Sequence, residues 1–159
     1  MLVIVGGVSG SGKSTIGKLL SEKLKLPFYD GDDFHPQSNI EKMANGQALT
    51  DQDRQPWLLE LAEHLSLWQK QGGAVLACSA LKESYRKTLS SIEKGEIHWV
   101  ILTASEALLK ERLANRRDHF FDQRLLDTQL AALETPDYGL VIDVASSVEE
   151  TVEQIIKAL

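Results

Sequence analysis

Three groups of residues could carry chemistry in this chain. Gly7, Val8, Ser9, Gly10, Ser11, Gly12, Lys13 and Ser14 spell G-x-x-x-x-G-K-S after the apolar run Leu2-Val-Ile-Val5. In that pattern the glycines let the backbone curl until successive N–H groups point at one anion, and the helix that follows adds the positive end of its dipole. Lys13 then reaches the outer phosphates of a nucleoside triphosphate, the Ser14 hydroxyl ligates Mg²⁺, and Thr15 belongs to the first helical turn facing the anion. The second group is the acidic pair Asp30 and Asp32. Phosphoryl transfer needs a group to take the proton of the attacking hydroxyl and cations that follow the charge on the moving phosphoryl. Asp32 is the choice for the base and Asp30 for a group organising Mg²⁺ through water; the two roles can be exchanged, because a sequence does not fix distances. The third group is basic: Arg112, Arg116, Arg117 and His119. On a helix, Arg112 and Arg116 share a face. The cluster reads as a lid whose guanidinium groups close over phosphates, or as a solvated face paired with Glu106 and Glu111.

Lys82 and Arg86, just past an apolar run at 74–78, are placed to meet an acidic acceptor or else lie on a surface helix. Cys78 reads as a small buried hydrophobe, and His64 and His98 have the neighbours of an ordinary helix and strand. The strand ends Ala77-Cys78-Ser79 and Leu102-Thr103 lack the acidic residue of a Walker B site, and Asp143 falls inside the last strand. Ser14 is therefore the protein ligand assigned to Mg²⁺. There is no Asn-Lys-x-Asp motif and no Asp followed three residues later by Gly, which counts against a GTPase switch.

The elements that must position these groups follow from periodicity. Apolar runs predict strands at 2–5, 28–30, 74–78, 97–103 and 140–144. Helical spacing predicts helices after residue 14, near 39–44, from about residue 50 with Pro56 in the first turn, and over 82–92, 106–115, 123–133 and 148–159. Thr50 and Asp53 look like a helix cap. Strands alternating with helices give a parallel sheet covered on both faces, a three-layer α/β/α fold. Ligands of such sheets bind at the carboxyl ends of the strands, and all three chemical groups fall on that rim. Two polar excursions leave from it, residues 31–55 and 112–121. Phe34, Ile40, Met43 and Leu49 are apolar anchors that argue for order in the first.

The 159 residues, 43% hydrophobic and 25% charged, are expected to form one domain spanning 1–159. No stretch resembles a membrane span of ~20 apolar residues. With a strand expected from Leu2 and a single cysteine, neither an export signal nor an internal disulfide is expected, and the cytoplasm is the natural compartment. A net charge of −6 argues against nucleic-acid or anionic-membrane partners.

Four blocks resemble the small P-loop gluconokinases. They are residues 7–14; Asp30-Gly-Asp-Asp-Phe-His-Pro36 with Asn39-Ile-Glu-Lys-Met43 and Leu49-Thr-Asp-Gln-Asp-Arg-Gln-Pro-Trp-Leu58; Cys78-Ser-Ala-Leu-Lys-Glu-Ser-Tyr-Arg86; and His119-Phe-Phe121 with Leu125-Leu126, Gln129 and Leu133-Glu134. The resemblance implies a nucleotide-kinase-like fold with strand order 2-3-1-4-5, ATP and Mg²⁺ as cofactors, a homodimer, and transfer of the γ-phosphate of ATP to the 6-hydroxyl of D-gluconate. It places Asp32, His35 and Arg54 in the acceptor region and Arg116 and His119 in the lid. Asp30, Lys82 and Arg86 complete the expected substrate-binding set; Lys13, Asp32 and Arg116 are the expected catalytic residues, and Arg112 and Arg116 join residues 7–15 around the nucleotide. Gly46-Gln-Ala-Leu49 departs from the family's Gly-x-Pro-Leu, and Thr128 and Leu130 replace Ser and Phe. The alternatives are a kinase of the same fold for another small hydroxy acid, such as shikimate, and a non-catalytic ATP-binding regulatory module.

Overall fold

The computed structural model describes residues 1–115 and 125–159. Five strands, β1 (Leu2–Gly6), β2 (Phe28–Asp30), β3 (Ala74–Ala77), β4 (Ile97–Thr103) and β5 (Leu140–Asp143), form one sheet in the order β2-β3-β1-β4-β5. Every pairing is parallel. The expected fold class and strand order are what the structure has.

β1 shows why the sheet needs both covers. All five of its residues are buried, and the two-residue period of a strand sends alternate side chains to opposite faces. Leu2 and Ile4 join Leu76 and the buried face of helix α3 (Asp51–Lys70), including Trp57, Leu61 and Leu65. Val3 and Val5 join Val75, Val100 and Leu102 against helix α1 (Lys13–Leu24) and the last helix, α7 (Val148–Ala158), through Ile16, Leu20, Val152 and Ile155. Fully burying each of these side chains contributes about 1.5–3 kcal/mol, so the strand carrying the phosphate loop is held from both faces.

Between β2 and α3 the chain makes a 3₁₀ turn (Gly31–Phe34) and helix α2 (Gln37–Ala44). The turn is pinned from above by α3: the Trp57 indole N–H donates to the Gly31 carbonyl at 2.7 Å, and Phe34 meets the Trp68 ring edge-on at 5.9 Å. Tyr29 of β2 stacks flat on Trp68 at 3.9 Å. Below, Met43 and Leu49 form a small separate core with Leu125, so a segment with little periodicity of its own is ordered by what it touches.

Helix α3 starts at Asp51, and Thr50 and Asp53 form a reciprocal cap in which each side chain takes the other's backbone N–H. Pro56 thus lies inside the helix rather than in its first turn: the cap, which satisfies two orphan donors, outweighs the one intrahelical bond that proline removes. The remaining helices are α4 (Glu83–Leu89), α5 (Glu106–Ala114) and α6 (Leu126–Ala132). Among the described residues no helix is long and apolar enough to cross a membrane.

Candidate active site

The loop between β1 and α1 turns on glycine. Gly7 has φ +139°, and a Cβ there would come within 2.7 Å of the Leu102 carbonyl oxygen. Gly12 caps α1 at φ 96°, a left-handed conformation open to glycine at little strain. The loop is braced internally by Ser11, whose N–H and hydroxyl both donate to the Val8 carbonyl, at 3.2 and 2.7 Å. The Lys13 ammonium also donates to Val8 O, at 3.1 Å, curling over the loop. The first turn of α1 presents Gly12, Lys13, Ser14 and Thr15 to a cavity, in the manner of helix N-termini that hold phosphate.

The acidic pair is organised around the loop's serine. The Ser14 hydroxyl donates to Asp30 Oδ2 at 2.8 Å, and Asp30 Oδ1 takes the Asp32 N–H at 3.0 Å. The acidic partner of the phosphate-loop serine therefore comes from the end of β2, not from β3 or β4. Two adjacent hard oxygens suit Mg²⁺, which takes one or two protein ligands and completes its shell with water and phosphate. Asp32 faces the cavity; Asp30 stands behind it.

Opposite the loop, His35, Met43, Leu49, Arg54, Trp57 and Ser79 line the same cavity. His35 stacks on the Trp57 ring with centroids 4.1 Å apart, and its side chain is only 4% exposed. Burial pulls its pKa down to about 4, with Arg54 adding to the effect while Asp32 and Asp30 oppose it. The imidazole is accordingly neutral at pH 7. Arg54 is oriented by one guanidinium nitrogen, which donates to Leu49 O at 2.8 Å and Tyr85 Oη at 3.1 Å.

At the other end of the cavity lie Arg112, Gln129, Val144, Ser146, Val148 and Thr151. Arg112 sits in the last turn of α5 and reaches the loop carbonyls of Gly10 and Ser11 and the Val144 carbonyl at 3.2–3.4 Å. Glu106 pairs instead with Lys110. Gln129, present in the fourth sequence block but given no role, proves to be part of the site: its Oε1 takes the Ser9 N–H at 2.8 Å. Its place in that block is the signal that points to it.

Three expected acceptor residues do not line the cavity: Asp30, which stands behind it on Ser14, Arg86 and Lys82. Arg86 is 1% exposed, and its guanidinium donates to the carbonyls of Ala80 (2.8 Å), Leu81 (3.3 Å) and Glu134 (2.7 Å) and to Tyr138 Oη (3.0 Å), with Glu83 alongside. It is a tie between the segment after β3 and the segment after α6, and in this structure it is not among the residues lining the cavity. Lys82 lies against Asp51 at 3.1 Å, outside the cavity wall. Tyr85 also donates to Asp51, and these two bonds, the tyrosine's first, hold the Asp51 carboxyl below the usual range. Cys78, just past β3, is buried, and burial pushes its thiol up to about 12. Arg116, Arg117 and His119, with Phe120 and Phe121, lie outside the described residues.

The cavity is a single space of about 380 Å³ that runs from Val144 and Thr151, past the loop, to His35 and Arg54. A central parallel strand delivering such a loop, a Ser–Asp oxygen pair beside it and a continuous cleft beyond it define a P-loop kinase. A family model described as "AAA domain" matches residues 3–124. The chain is 41% identical over 172 residues to a probable gluconokinase of Dictyostelium discoideum, covering 100% of this chain and 86% of that protein. It is 46% identical to a gluconokinase of Gluconobacter oxydans, covering 84% of this chain and 75% of the relative. A solved gluconokinase structure from Sinorhizobium meliloti superposes with a TM-score of 0.88 at 41% identity, over 98% of this chain and 89% of the other. The chain belongs to the gluconokinase family.

Proposed function

We propose that the chain transfers the γ-phosphoryl group of ATP to the 6-hydroxyl of D-gluconate, yielding 6-phosphogluconate and ADP. The observation that carries this reading is the single cavity shared by Lys13, Ser14, Asp32, His35 and Arg54. It lets donor and acceptor meet without leaving the protein, which is where most of the advantage in phosphoryl transfer comes from.

Backbone N–H groups of Gly10 and residues 12–15 and the Lys13 ammonium hold the phosphates, and the nucleoside lies toward Val144, Ser146, Val148 and Thr151. Ser14 and Asp30 would hold Mg²⁺, directly or through water, and the ion would supply charge neutralisation between the outer phosphates. Asp32 takes the proton as the acceptor oxygen attacks, aimed by the turn that Asp30 caps. Arg54 meets the acceptor's carboxylate, and His35 and Ser79 offer hydrogen-bonding groups along a polyol. Arg112 is read as a further nucleotide contact, and Arg116 and His119 as parts of a closing segment at 112–121. By likeness to the family the protein is read as a cytoplasmic homodimer of one-domain chains, which sedimentation velocity tests for assembly.

The deciding experiment is acceptor-dependent ADP release across a panel of sugar acids and shikimate. Turnover with gluconate well above the others is expected. Turnover with another acid and none with gluconate would overturn the assignment, and ATP binding without turnover on any acceptor would point to a regulatory module.

A further inference from the structure

Asn39 is part of the second of the four sequence blocks, yet nothing in the reaction described so far uses it. It is 2% exposed, on the inner face of the first turn of α2. A buried amide with satisfied hydrogens is a fixed object, and its two partners differ in kind. One is the backbone carbonyl of Asp53, 2.9 Å from Nδ2. The other is His35 Nδ1, 3.3 Å from the same nitrogen. A backbone carbonyl can only accept, so the atom facing it is the amide NH₂ and not its oxygen. The second hydrogen of that NH₂ then points at His35 Nδ1, which must present a lone pair. The ring's proton therefore resides on Nε2, the nitrogen that faces Asp32 Oδ1 at 3.9 Å.

We infer that Asn39 is a positioning residue that selects the Nε2–H tautomer of His35, so that a neutral N–H dipole rather than a lone pair is turned toward the Asp32 carboxylate. This rests on the reading of Asp32 as the base. At 3.9 Å the contact is electrostatic rather than a hydrogen bond. A neutral donor steadies the carboxylate's orientation without the full charge that would make it a weaker base; the opposite tautomer would repel it. The charged groups acting on the ring are Asp32, Arg54 and Asp30, and the Trp57 face removes water from one side. The device spans three elements. Asp53 caps α3, receives Lys42 from α2 at 2.6 Å, and offers its carbonyl to Asn39, so the tautomer is set by how α2 seats on the start of α3.

The first measurement is the nitrogen-15 spectrum of the histidine rings in the intact protein at pH 7, with the His35 signals assigned by their loss in His35→Gln. A pyridine-type Nδ1 and a pyrrole-type Nε2 are expected; an Nδ1–H ring or an imidazolium would overturn the inference, whatever the enzyme phosphorylates. The second is Asn39→Asp, whose carboxylate can only accept and so demands Nδ1–H. The spectrum should switch tautomer, and kcat should fall roughly 10–100-fold, as when an outer hydrogen-bond partner of a functional histidine is lost, with the KM for ATP nearly unchanged. Asn39→Leu, which keeps the site uncharged, should give a mixture of tautomers and a smaller fall in kcat. A wild-type tautomer or unchanged kcat in a folded Asn39→Asp protein counts against the inference. Failure of gluconate as substrate would leave the spectra as they are and strike only the functional reading.

Discussion

Asp30 divides its carboxylate between two tasks, one oxygen on the Ser14 hydroxyl and the other on the Asp32 N–H, which is why the neighbouring Asp32 can face the cavity. Asp32→Asn should therefore lower kcat by at least the ~10²-fold typical of general-base loss while ATP affinity, measured by calorimetry, stays close to wild type. Near-normal turnover would remove the base assignment. Arg86 belongs to the opposite kind of residue. Arg86→Met would strip the Ala80 and Glu134 carbonyls of their guanidinium donor, while Leu81 O keeps the Glu134 N–H, a loss of about 3 kcal/mol, read as roughly 6–12 °C in Tm for a chain of this size. Its effect on the KM for gluconate should be secondary. The difference between the two was only partly legible in the sequence. Asp-x-Asp after a short strand announces itself locally, whereas the burial of Arg86 depends on Glu134 and Tyr138, some fifty residues further on.

At the scale of elements, the seam between α2, the 3₁₀ turn and α3 makes stability depend on pH in two separate windows. His35 has its pKa lowered from 6.5 to about 4 by burial, so between those values the unfolded chain binds a proton that the folded one refuses. Stability should be full above pH 6.5 and decline as pH falls toward 4, by on the order of 3 kcal/mol in all. His35→Gln should flatten that slope in urea melts taken from pH 7 to pH 4.5; an unaltered slope would mean the ring is not desolvated. Asp53, held down to about 2 first by Lys42 and then by Thr50, acts in a lower window: its contribution is present above pH 3.8 and is lost as pH falls toward 2. The cap itself was readable, since Thr50 and Asp53 are three residues apart. The desolvation of His35 was not, because Trp57 and Asn39 surround it only once α2 and α3 have met.

For the whole molecule, the contact that matters most joins residues 120 positions apart: Gln129 on α6 to the backbone of Ser9 in the phosphate loop. Gln129→Ala removes one hydrogen bond of about 1 kcal/mol, enough to speed amide exchange in 126–132 roughly fivefold with little change in Tm. Unchanged exchange there would show that α6 is held by Leu126 and its apolar neighbours alone. The sheet, its covering helices and the rim that carries the chemistry were all foreseeable, because apolar runs and helical stripes report burial directly. Pairings such as Ser9 with Gln129, or Leu125 with Met43 and Leu49, depend on loops returning to the rim, and periodicity says nothing about where a loop returns.

Cys78 lies at the end of β3, its N–H bonded to the Val5 carbonyl at 3.0 Å and its thiol buried. With one cysteine in the chain, that burial makes the protein its own stopwatch. A thiol-specific reagent can react only after the central strands part, so the labelling rate counts openings of the sheet one molecule at a time. Nucleotide at a hundred times its dissociation constant stabilises the closed form by about 2.7 kcal/mol, and should slow the clock ~100-fold if the opening that exposes Cys78 also dismantles the phosphate loop two strands away from the edge.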